Sequence, residues 1–377
     1  MTKVILTLNA GSSSVKFQIF GQDETLPHLA EGGVTGLCAE ALAKADIGTS
    51  PIFTALRDDG EKSSATMPAQ STQEDAVRAI IDWIYGHDAG WEIAAVAHRI
   101  VHGGSIFTEP TRVTDDVFKK MQALISLAPL HQPHNLAALE MATKFLPHVP
   151  QIACFDTAFH ANHTPLFTHF AIPADMTDQG VRRYGFHGLS YGWIAHVLKR
   201  DYPALAKERV IAAHLGNGAS LCAMKNSASI DTTMGMTALD GVPMGTRCGA
   251  IDAGAVIHMI RDLKLGADAV EHMLYEKSGL RGLSGISNDV KTLLESTDPR
   301  AKFALDYFAL YVAKHMAAMA VSIGGVDGVV FTGGIGEHAG QVREAIMAHL
   351  AFFNPPSPLV IPANEERMMA MQAMLVL

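Results

Sequence analysis

The chain has 377 residues, of which 48% are hydrophobic and 18% are charged, as is ordinary for a globular enzyme with two sizeable cores. A formal net charge of −9 argues against a general nucleic-acid binder, because affinity for a phosphate backbone needs clustered Lys and Arg. The four cysteines include no C-x-x-C pair, and no apolar secretory signal opens the chain. We therefore expect reduced thiols, no metal-cysteine site and a cytoplasmic location.

The first predicted elements form a β-hairpin with a turn of small polar residues. Strands are predicted over residues 4–8 and 15–20, on either side of the turn Asn-Ala-Gly-Ser-Ser-Ser at 9–14. Backbone N–H groups in such a turn can bind phosphate oxygens, and Lys16 adds a positive charge beside it. Taken alone, the pattern is weak evidence, because most Gly-Ser hairpins are only turns between strands.

Alternation of strands and helices follows in the first half of the chain. Residues 21–70 are turn-rich and give little information. The periodicity beyond them predicts a helix over 74–85, a strand over 93–101, a helix over 115–127 capped by Thr114, a helix over 135–145 and a strand over 151–155.

The second half repeats this style around another glycine-rich turn. Its hairpin strands are predicted over 210–215 and 220–224, with the turn His-Leu-Gly-Asn-Gly-Ala at 214–219. Further predicted elements are helices over 252–263, 267–277 and 299–323, a strand over 327–332, a glycine-rich loop over 333–338, a helix over 341–351, a strand over 359–361 and a terminal helix capped by Asn364. Charged residues interrupt the helix over 299–323, which argues against a membrane span.

Two α/β halves that each open with a phosphate-binding hairpin predict the fold class by analogy. We expect a duplicated, actin-like (ribonuclease H-like) two-domain α/β fold with nucleotide in the cleft between the domains. The predicted domains are 1–154 plus 359–377, in which the C-terminal helix closes the first domain, and 155–358. No segment fits a Walker-type P-loop.

Polar clusters at predicted strand ends and in glycine-flanked loops are the candidates for chemistry. Arg99 and Asp156 each stand at the end of an apolar strand, where open α/β sheets bind ligands. Arg247 and His187 lie in loops flanked by glycine, and such an arginine is a candidate anion ligand. The pairs His131/His134 and His160/His163 have metal-like spacing but lack a third ligand, so packing roles are favoured for them.

Eight motifs in family order give a specific resemblance over nearly the whole chain. They are Asn-Ala-Gly-Ser-Ser-Ser-x-Lys, His-Arg-x-Val-His-Gly-Gly, Ala-Pro-Leu-His, Phe-Asp-Thr-Ala-Phe-His, Tyr-Gly-Phe-His-Gly, His-Leu-Gly-Asn-Gly, Met-Gly-Thr-Arg-Cys-Gly and Asn-Glu-Glu. The chain resembles the acetate kinase family, within the acetate and sugar kinase, heat-shock and actin superfamily. The resemblance implies reversible, Mg²⁺-dependent transfer of the ATP γ-phosphoryl group to a small carboxylate, by a homodimer.

The resemblance also implies roles for individual residues. Arg99, Arg247, His187 and Asp156 would be catalytic, with Arg99, Val101, Leu130 and Phe186 around the acyl substrate. The nucleotide, ATP or ADP, would be bound by Lys16, His214, Leu215, Gly216, Asn217, Gly218, Asp289, Val290, Lys291, Gly334, Ile335, Gly336, Glu337 and His338. Asn9 and Glu365 would organise Mg²⁺, with Mn²⁺ as the alternative ion.

Asp156 is usually labelled an acid or base in this family, but the carboxylate substrate is already ionised near pH 7. We therefore expect Asp156 to act through metal-bound water or by orienting arginine and substrate.

Three departures from the family pattern stand at Lys291 (usually Arg), His338 (usually Asn) and Ala238 (Pro in some members). The alternatives are a propionate or butyrate kinase of the same family, a sugar kinase of the same fold, and an actin-like or chaperone-like nucleotide switch. The arginines with His187 argue against the last two, because hydrolysis needs a positioned water and sugar phosphorylation needs a base beside the acceptor. Only the size of the acyl pocket separates the carboxylate kinases.

Overall fold

The computed structural model describes residues 2–37, 50–87 and 90–377, so Cys38 lies outside the described residues. The chain divides into two compact units, one of Met1–Ala158 with Asn364–Leu377 and one of Phe159–Ala363. The predicted domain boundaries, after 154 and after 358, stand a few residues earlier. Asp156 therefore belongs to the first unit, whereas the predicted boundary assigns it to the second domain.

In the described residues of the first unit, five strands precede the first helix. Its elements are β1 Thr2–Ala10, β2 Ser14–Gly21, β3 His28–Thr35, β4 Ile52–Arg57, β5 Lys62–Thr66, α1 Gln73–His87, β6 Trp91–Ile100, β7 Thr111–Arg112, α2 Asp115–Gln122, α3 Gln132–Phe145, β8 Gln151–Phe155 and, at the C-terminus, α14 Glu365–Met374.

The described strands of the first unit form one sheet in the order β5-β4-β3-β2-β1-β6-β8-β7. Strands β1 to β5 form an antiparallel meander, while β6 pairs parallel with β1 and with β8. Alternate side chains of β1, namely Val4, Leu6 and Leu8, pack into one apolar core with α1 and α3. The carboxyl ends of β1, β6 and β8 consequently lie at the same edge of the sheet.

The second unit is built mainly from helices around a smaller sheet. Its elements are α4 Pro165–Thr168, α5 Ala174–Asp178, α6 Gly188–Asp201, β9 Arg209–Leu215, β10 Ala219–Lys225, β11 Ala228–Thr232, α7 Ala253–Arg261, α8 Ala267–Glu276, α9 Gly279–Ser284, α10 Val290–Glu295, α11 Pro299–Ile323, β12 Gly328–Thr332, α12 Gly333–His338, α13 Gly340–His349 and β13 Leu359–Val360.

The second sheet repeats the plan of the first, with the order β11-β10-β9-β12-β13. Strands β9, β10 and β11 are antiparallel, and β12 runs parallel to β9 and to β13. Each unit therefore combines an antiparallel hairpin-rich side with parallel strands, and this repetition confirms the predicted duplicated α/β class.

Helix α11 begins and ends where the sequence predicts. The Asp298 carboxylate caps its N-terminus by accepting from the Arg300 N–H at 2.8 Å, and Pro299 occupies the first turn. Gly324 ends the helix in the left-handed region at φ 76°. Among the described residues, no helix combines the length and the apolar character that crossing a bilayer requires.

Two element predictions are wrong. The segment 333–338 is not a loop but helix α12, because Gly333 enters it at φ 78° directly from strand β12. The helix predicted over 115–127 stops at Gln122, followed by a separate turn of 3-10 helix over Ile125–Leu127, although Thr114 does cap it by accepting from the Val117 N–H.

Candidate active site

Arg99 and Asp156 form a bidentate ion pair at the edge of the first sheet. Strands β6 and β8 pair in parallel register, with Arg99 opposite Cys154, so Asp156 follows immediately at the end of the neighbouring strand. Arg99 donates from Nη2 to Asp156 Oδ2 at 2.7 Å and from Nε to Oδ1 and Oδ2 at 3.2 and 3.0 Å, so both carboxylate oxygens are engaged. The Asp156 side chain is 1% exposed and that of Arg99 is 22% exposed, so the carboxylate lies behind the guanidinium. Such planar two-point pairing fixes the orientation of the guanidinium group.

Burial and the neighbouring charges set the protonation state of Asp156. Burial raises the pKa of Asp156 to about 6, while the neighbouring Arg99 cation opposes the rise. Burial disfavours the Arg99 cation, but Asp156 and Glu365 together hold its pKa above its ordinary value. Above pH 6 the Asp156 carboxylate is therefore mainly ionised and can only accept hydrogen bonds.

The N-terminus of α14 brings two further carboxylates to this place. Asn364 caps the helix by accepting from the Arg367 N–H at 3.0 Å, which sets the positions of Glu365 and Glu366. Glu365 Oε2 lies 3.3 Å from Arg99 Nη1. Glu366 Oε1 accepts from Asn9 Nδ2, also at 3.3 Å. The sequence named Glu365 as a metal ligand with Asn9, and the structure adds Glu366 as a side chain that contacts Asn9.

The donor set around Asn9 suits Mg²⁺ in its chemistry. Its atoms are carboxylate and amide oxygens, which this hard cation prefers. In the described part of the chain no group of three or more His, Cys, Asp and Glu could hold an ion by itself. A magnesium site that shares its coordination with phosphate and water needs only one or two carboxylates, so the residues present fit the ion.

Asn135 ties the first glycine-rich turn to the predicted acyl site. From α3 its Nδ2 donates to the Ala10 carbonyl at 2.7 Å, and its Oδ1 accepts from the Val101 N–H at 2.9 Å. Val101 is half-buried, whereas Leu130 is 44% exposed. Lys16 lies on β2 opposite Asn9 with an exposed side chain.

His187 occupies an unusual backbone position in the second unit. It precedes α6 with φ 57°, a left-handed conformation that costs a non-glycine residue about 1–3 kcal/mol and that concentrates at functional sites. Its Nδ1 lies 2.8 Å from Ser220 Oγ, which in turn lies 2.6 Å from the Tyr191 hydroxyl. The ring also stacks on His214, with centroids 4.4 Å apart.

Arg247 and His187 approach the same glycine. A Cβ on Gly218 would lie 3.3 Å from His187 Nε2 and 3.8 Å from Arg247 Nη1, so a larger residue would crowd both side chains. Arg247 Nη1 donates to the Ala238 carbonyl at 3.0 Å. Ala238, one of the departures from the family pattern, thus holds the predicted catalytic residue Arg247 through its backbone carbonyl.

The predicted nucleotide segments of the second unit lie together. In the turn at 214–218, Asn217 accepts from the Gly245 N–H through its carbonyl and from Asn288 Nδ2 through Oδ1, both at 3.1 Å. The next residue, Asp289, caps α10 by accepting from the Thr292 N–H at 3.0 Å. Val290 and Lys291 begin that helix.

Helix α12 meets this turn through the pairing of β12 with β9. Gly333 packs against the Leu215 carbonyl, where a Cβ would come within 2.8 Å of the oxygen. The Glu337 carboxylate accepts from the N–H groups of Gly333 and Ala363 at 3.0 and 2.9 Å. Glu337 therefore holds its own helix in place. Gly334, Ile335, Gly336 and His338 belong to the same helix.

The structure thus gathers the predicted residues into two sets, one in each unit. Asn9, Arg99, Val101, Asp156 and Glu365 belong to the first, as do Lys16 and Leu130; His187, Arg247, the buried Phe186 and the nucleotide segments belong to the second. The sequence did not predict the side chains that hold these residues by hydrogen bonds. Those side chains are Glu366, Asn135, Ser220, Tyr191, Asn288 and Ser190, whose Oγ lies 2.8 Å from His214 Nδ1. Only Glu366 carried a signal, as the second acidic residue of the Asn-Glu-Glu motif.

The duplicated α/β fold and the arginine–carboxylate pair at its strand ends are those expected of a phosphotransferase that acts on a carboxylate. Residues 4–355 match the Acetokinase family, and the chain belongs to that family. It is 45% identical to an acetate kinase of Rhodopseudomonas palustris over 357 residues, covering 93% of this chain and 87% of the relative.

Solved structures agree with this assignment. A propionate kinase from Francisella tularensis superposes with a TM-score of 0.91 at 31% identity, over 100% of both chains. An acetate kinase from Porphyromonas gingivalis superposes with a TM-score of 0.85 at 32% identity, over 99% of both chains. The predicted family and its actin-like fold are therefore confirmed.

Proposed function

We propose that the protein transfers the γ-phosphoryl group of ATP reversibly to acetate, giving acetyl phosphate and ADP. The observation that carries this proposal is the Arg99–Asp156 pair beside the oxygen donors of Asn9, Glu365 and Glu366. A guanidinium with a fixed orientation is suited to bind a planar carboxylate or a phosphoryl group in the plane of its oxygens.

The two arginines and His187 share the work of charge stabilisation. A loose transition state spreads negative charge over the phosphoryl oxygens, so Arg99, Arg247 and a donor from His187 lower the barrier where that charge develops. No base is needed, because acetate is ionised at neutral pH. Asp156 then serves by orienting Arg99, which agrees with its bidentate contacts.

We propose that Asn9 and Glu365 hold Mg²⁺, with Mn²⁺ as the alternative, and that Glu366 contributes through Asn9. When bound, the ion would neutralise part of the negative charge of the phosphates. Lys16, His214, Leu215, Gly216, Asn217 and Gly218 bind the phosphates; Asp289, Val290, Lys291, Gly334, Ile335, Gly336, Glu337 and His338 face the adenosine. The carboxylates of Asp289 and Glu337 already accept backbone N–H groups. These two residues therefore contribute to nucleotide binding by holding the helix termini on which they lie.

The acyl group is proposed to contact Val101, Leu130 and Phe186. A small apolar pocket distinguishes one methylene by only about 1–3 kcal/mol, so propionate should also react. The F. tularensis propionate kinase has the same fold, which makes propionate the second candidate substrate.

We further propose a cytoplasmic homodimer. Helix α7 has no buried residue among its positions and exposes Ile257 (53%) and Ile260 (42%), with Leu263 (57%) just beyond its end. An apolar helix face of this kind is typical of a surface covered by a second copy. Ile257→Asp with Ile260→Asp should therefore lower the molar mass in light scattering from two chains to one.

The experiment that tests the activity is hydroxylamine trapping of acyl phosphate from ATP, Mg²⁺ and one of acetate, propionate or butyrate. We expect the highest kcat/KM with acetate. A preference for propionate would assign the second candidate. No trapping with any acid, together with acid-independent hydrolysis of ATP, would contradict the proposal and favour a nucleotide switch.

A further inference from the structure

A buried chain of polar side chains lies behind His187 and takes no part in the function proposed above. His160 Nε2 lies 3.0 Å from the Phe186 carbonyl oxygen, and His160 Nδ1 lies 2.8 Å from Ser229 Oγ. The same hydroxyl lies 2.7 Å from His163 Nε2. His160 is 2% exposed and Ser229 is 8% exposed, so these contacts are shielded from water.

The chemistry of the groups fixes the direction of every bond in this chain. Burial lowers the pKa of His160 to about 3 and that of His163 to about 4, so both rings are neutral and each carries one ring proton. A carbonyl oxygen can only accept, so the His160 proton is on Nε2, and Nδ1 must accept from Ser229. With its own proton used, Ser229 accepts from His163 Nε2. The direction of each hydrogen bond therefore depends on the next one, and a single arrangement of the protons satisfies all three.

We propose that His160 is a positioning residue for His187: by donating from Nε2 to the Phe186 carbonyl, it holds the peptide group that precedes His187. Because φ of His187 describes rotation relative to that peptide group, holding the carbonyl holds the left-handed turn at φ 57°. The inference rests on the proposed contact of His187 with the transferring phosphoryl group.

The packing around His160 agrees with this role. A Cβ on Gly185 would lie 2.7 Å from His160 Cδ2, so the chain entering the turn rests directly on the ring. On the other side of the turn, Ser220 holds His187 Nδ1 at 2.8 Å. His187 is thus fixed through its backbone by His160 and through its ring by Ser220.

Two substitutions separate the bonds of His160. In His160→Gln the side-chain amide reaches as far as ring Nε2, so the donor to Phe186 is retained. In His160→Asn the amide reaches only as far as Nδ1, so the contact with Ser229 is retained and the donor to Phe186 is lost. His349→Asn, at an exposed histidine, is the control for the substitution itself.

We expect His160→Asn to lower kcat about 10–100-fold with less than about a 2-fold change in the KM for ATP, since small displacements of catalytic groups cost rates of this size. His160→Gln should remain within about 5-fold of the unsubstituted protein. Equal kcat values for the two variants, or losses that follow only their melting temperatures, would overturn the inference. If His160→Asn does not fold, His160→Ala replaces it, because it also removes the donor to the Phe186 carbonyl, and it should lower kcat; an unchanged kcat would overturn the inference.

A double variant distinguishes this inference from the function on which it rests. If His160 acts through His187, adding His160→Asn to His187→Ala should cause no further loss of kcat. Multiplying losses would show that His160 acts independently and would overturn the inference. Near-normal turnover by His187→Ala alone would instead contradict the proposed role of His187.

Discussion

Asp156 accepts three hydrogen bonds from Arg99, at 2.7 and 3.0 Å on Oδ2 and at 3.2 Å on Oδ1, while lying almost entirely behind it. The buried carboxylate is held by this guanidinium, and its ionised form has no proton to give. The geometry favours an orienting role over acid–base chemistry.

This relationship predicts the acid limb of the pH profile. The pKa of Asp156 is raised to about 6, so as pH falls through 6 the carboxyl becomes protonated and its charge interaction with Arg99 is lost. We expect kcat to fall below about pH 6 and this limb to disappear in Asp156→Asn, whose kcat at pH 7.5 should be about 100-fold lower. The steady-state pH profile of kcat is the measurement.

The control for that experiment is Asp201→Asn, which removes a bidentate Arg–Asp pair from the protein surface. Its profile should match that of the unsubstituted protein. Near-normal turnover by Asp156→Asn, with an unchanged dependence on Mg²⁺, would contradict the orienting role.

Glu366 is predicted to contribute to magnesium binding through Asn9. Glu366→Gln removes a negative charge while leaving an oxygen that can accept from Asn9, so we expect the Mg²⁺ concentration for half-maximal activity to rise about 10-fold. Glu365→Gln should raise it further. Glu344→Gln, at an exposed position of α13, is the control, and equal Mg²⁺ titrations for Glu366→Gln and the control would rule the contribution out.

Asn135 is predicted to couple the first glycine-rich turn to the acyl site. Asn135→Ala leaves the Ala10 carbonyl and the Val101 N–H without this partner, and each lost buried hydrogen bond costs about 1–3 kcal/mol. We expect a lower melting temperature and raised KM values for both ATP and acetate. A change confined to the melting temperature would show that Asn135 serves stability alone.

Gly333 and Gly334 should respond differently to alanine. A Cβ on Gly333 would meet the Leu215 carbonyl at 2.8 Å with φ at 78°, whereas at Gly334 nothing lies within 4 Å. We expect Gly333→Ala to lower the free energy of unfolding by about 1–3 kcal/mol and Gly334→Ala to leave it unchanged or raise it. Urea titration of both variants checks this, and equal midpoints would disprove the tight entry into α12.

Sequence predicted best where local signals agree with the fold. Helix α11 runs from Pro299 to Ile323 as expected because a cap, a first-turn proline and a terminal glycine all act locally. Strands β3 to β5 lie in the turn-rich segment 21–70, where the sequence offered short strand candidates without bounds. Gly32 and Gly33 interrupt β3, and β5 is mostly exposed, so these two strands lack a buried alternating pattern. Helix α6 was missed because it begins from a left-handed His187 without a side-chain cap.

In the candidate site, too, local sequence signals predicted some residues, and others could be found only from the fold. Motifs identify Arg99, His187 and Arg247 because their residue types and glycine neighbours stand together in the sequence. The supporting residues are distant in the sequence from the groups that they contact. The hydrogen bond of Asn135 with Ala10 spans 125 positions, and that of Glu366 with Asn9 spans 357. Contacts of that range depend on the completed fold.

The most direct test of the account is ³¹P NMR of the purified protein with ATP, Mg²⁺ and acetate. We predict an acetyl phosphate resonance that grows with the ADP signals only when acetate is present, and regeneration of ATP when acetyl phosphate and ADP are supplied instead. Inorganic phosphate formed at the same rate with or without acetate, and no acyl phosphate in either direction, would contradict it.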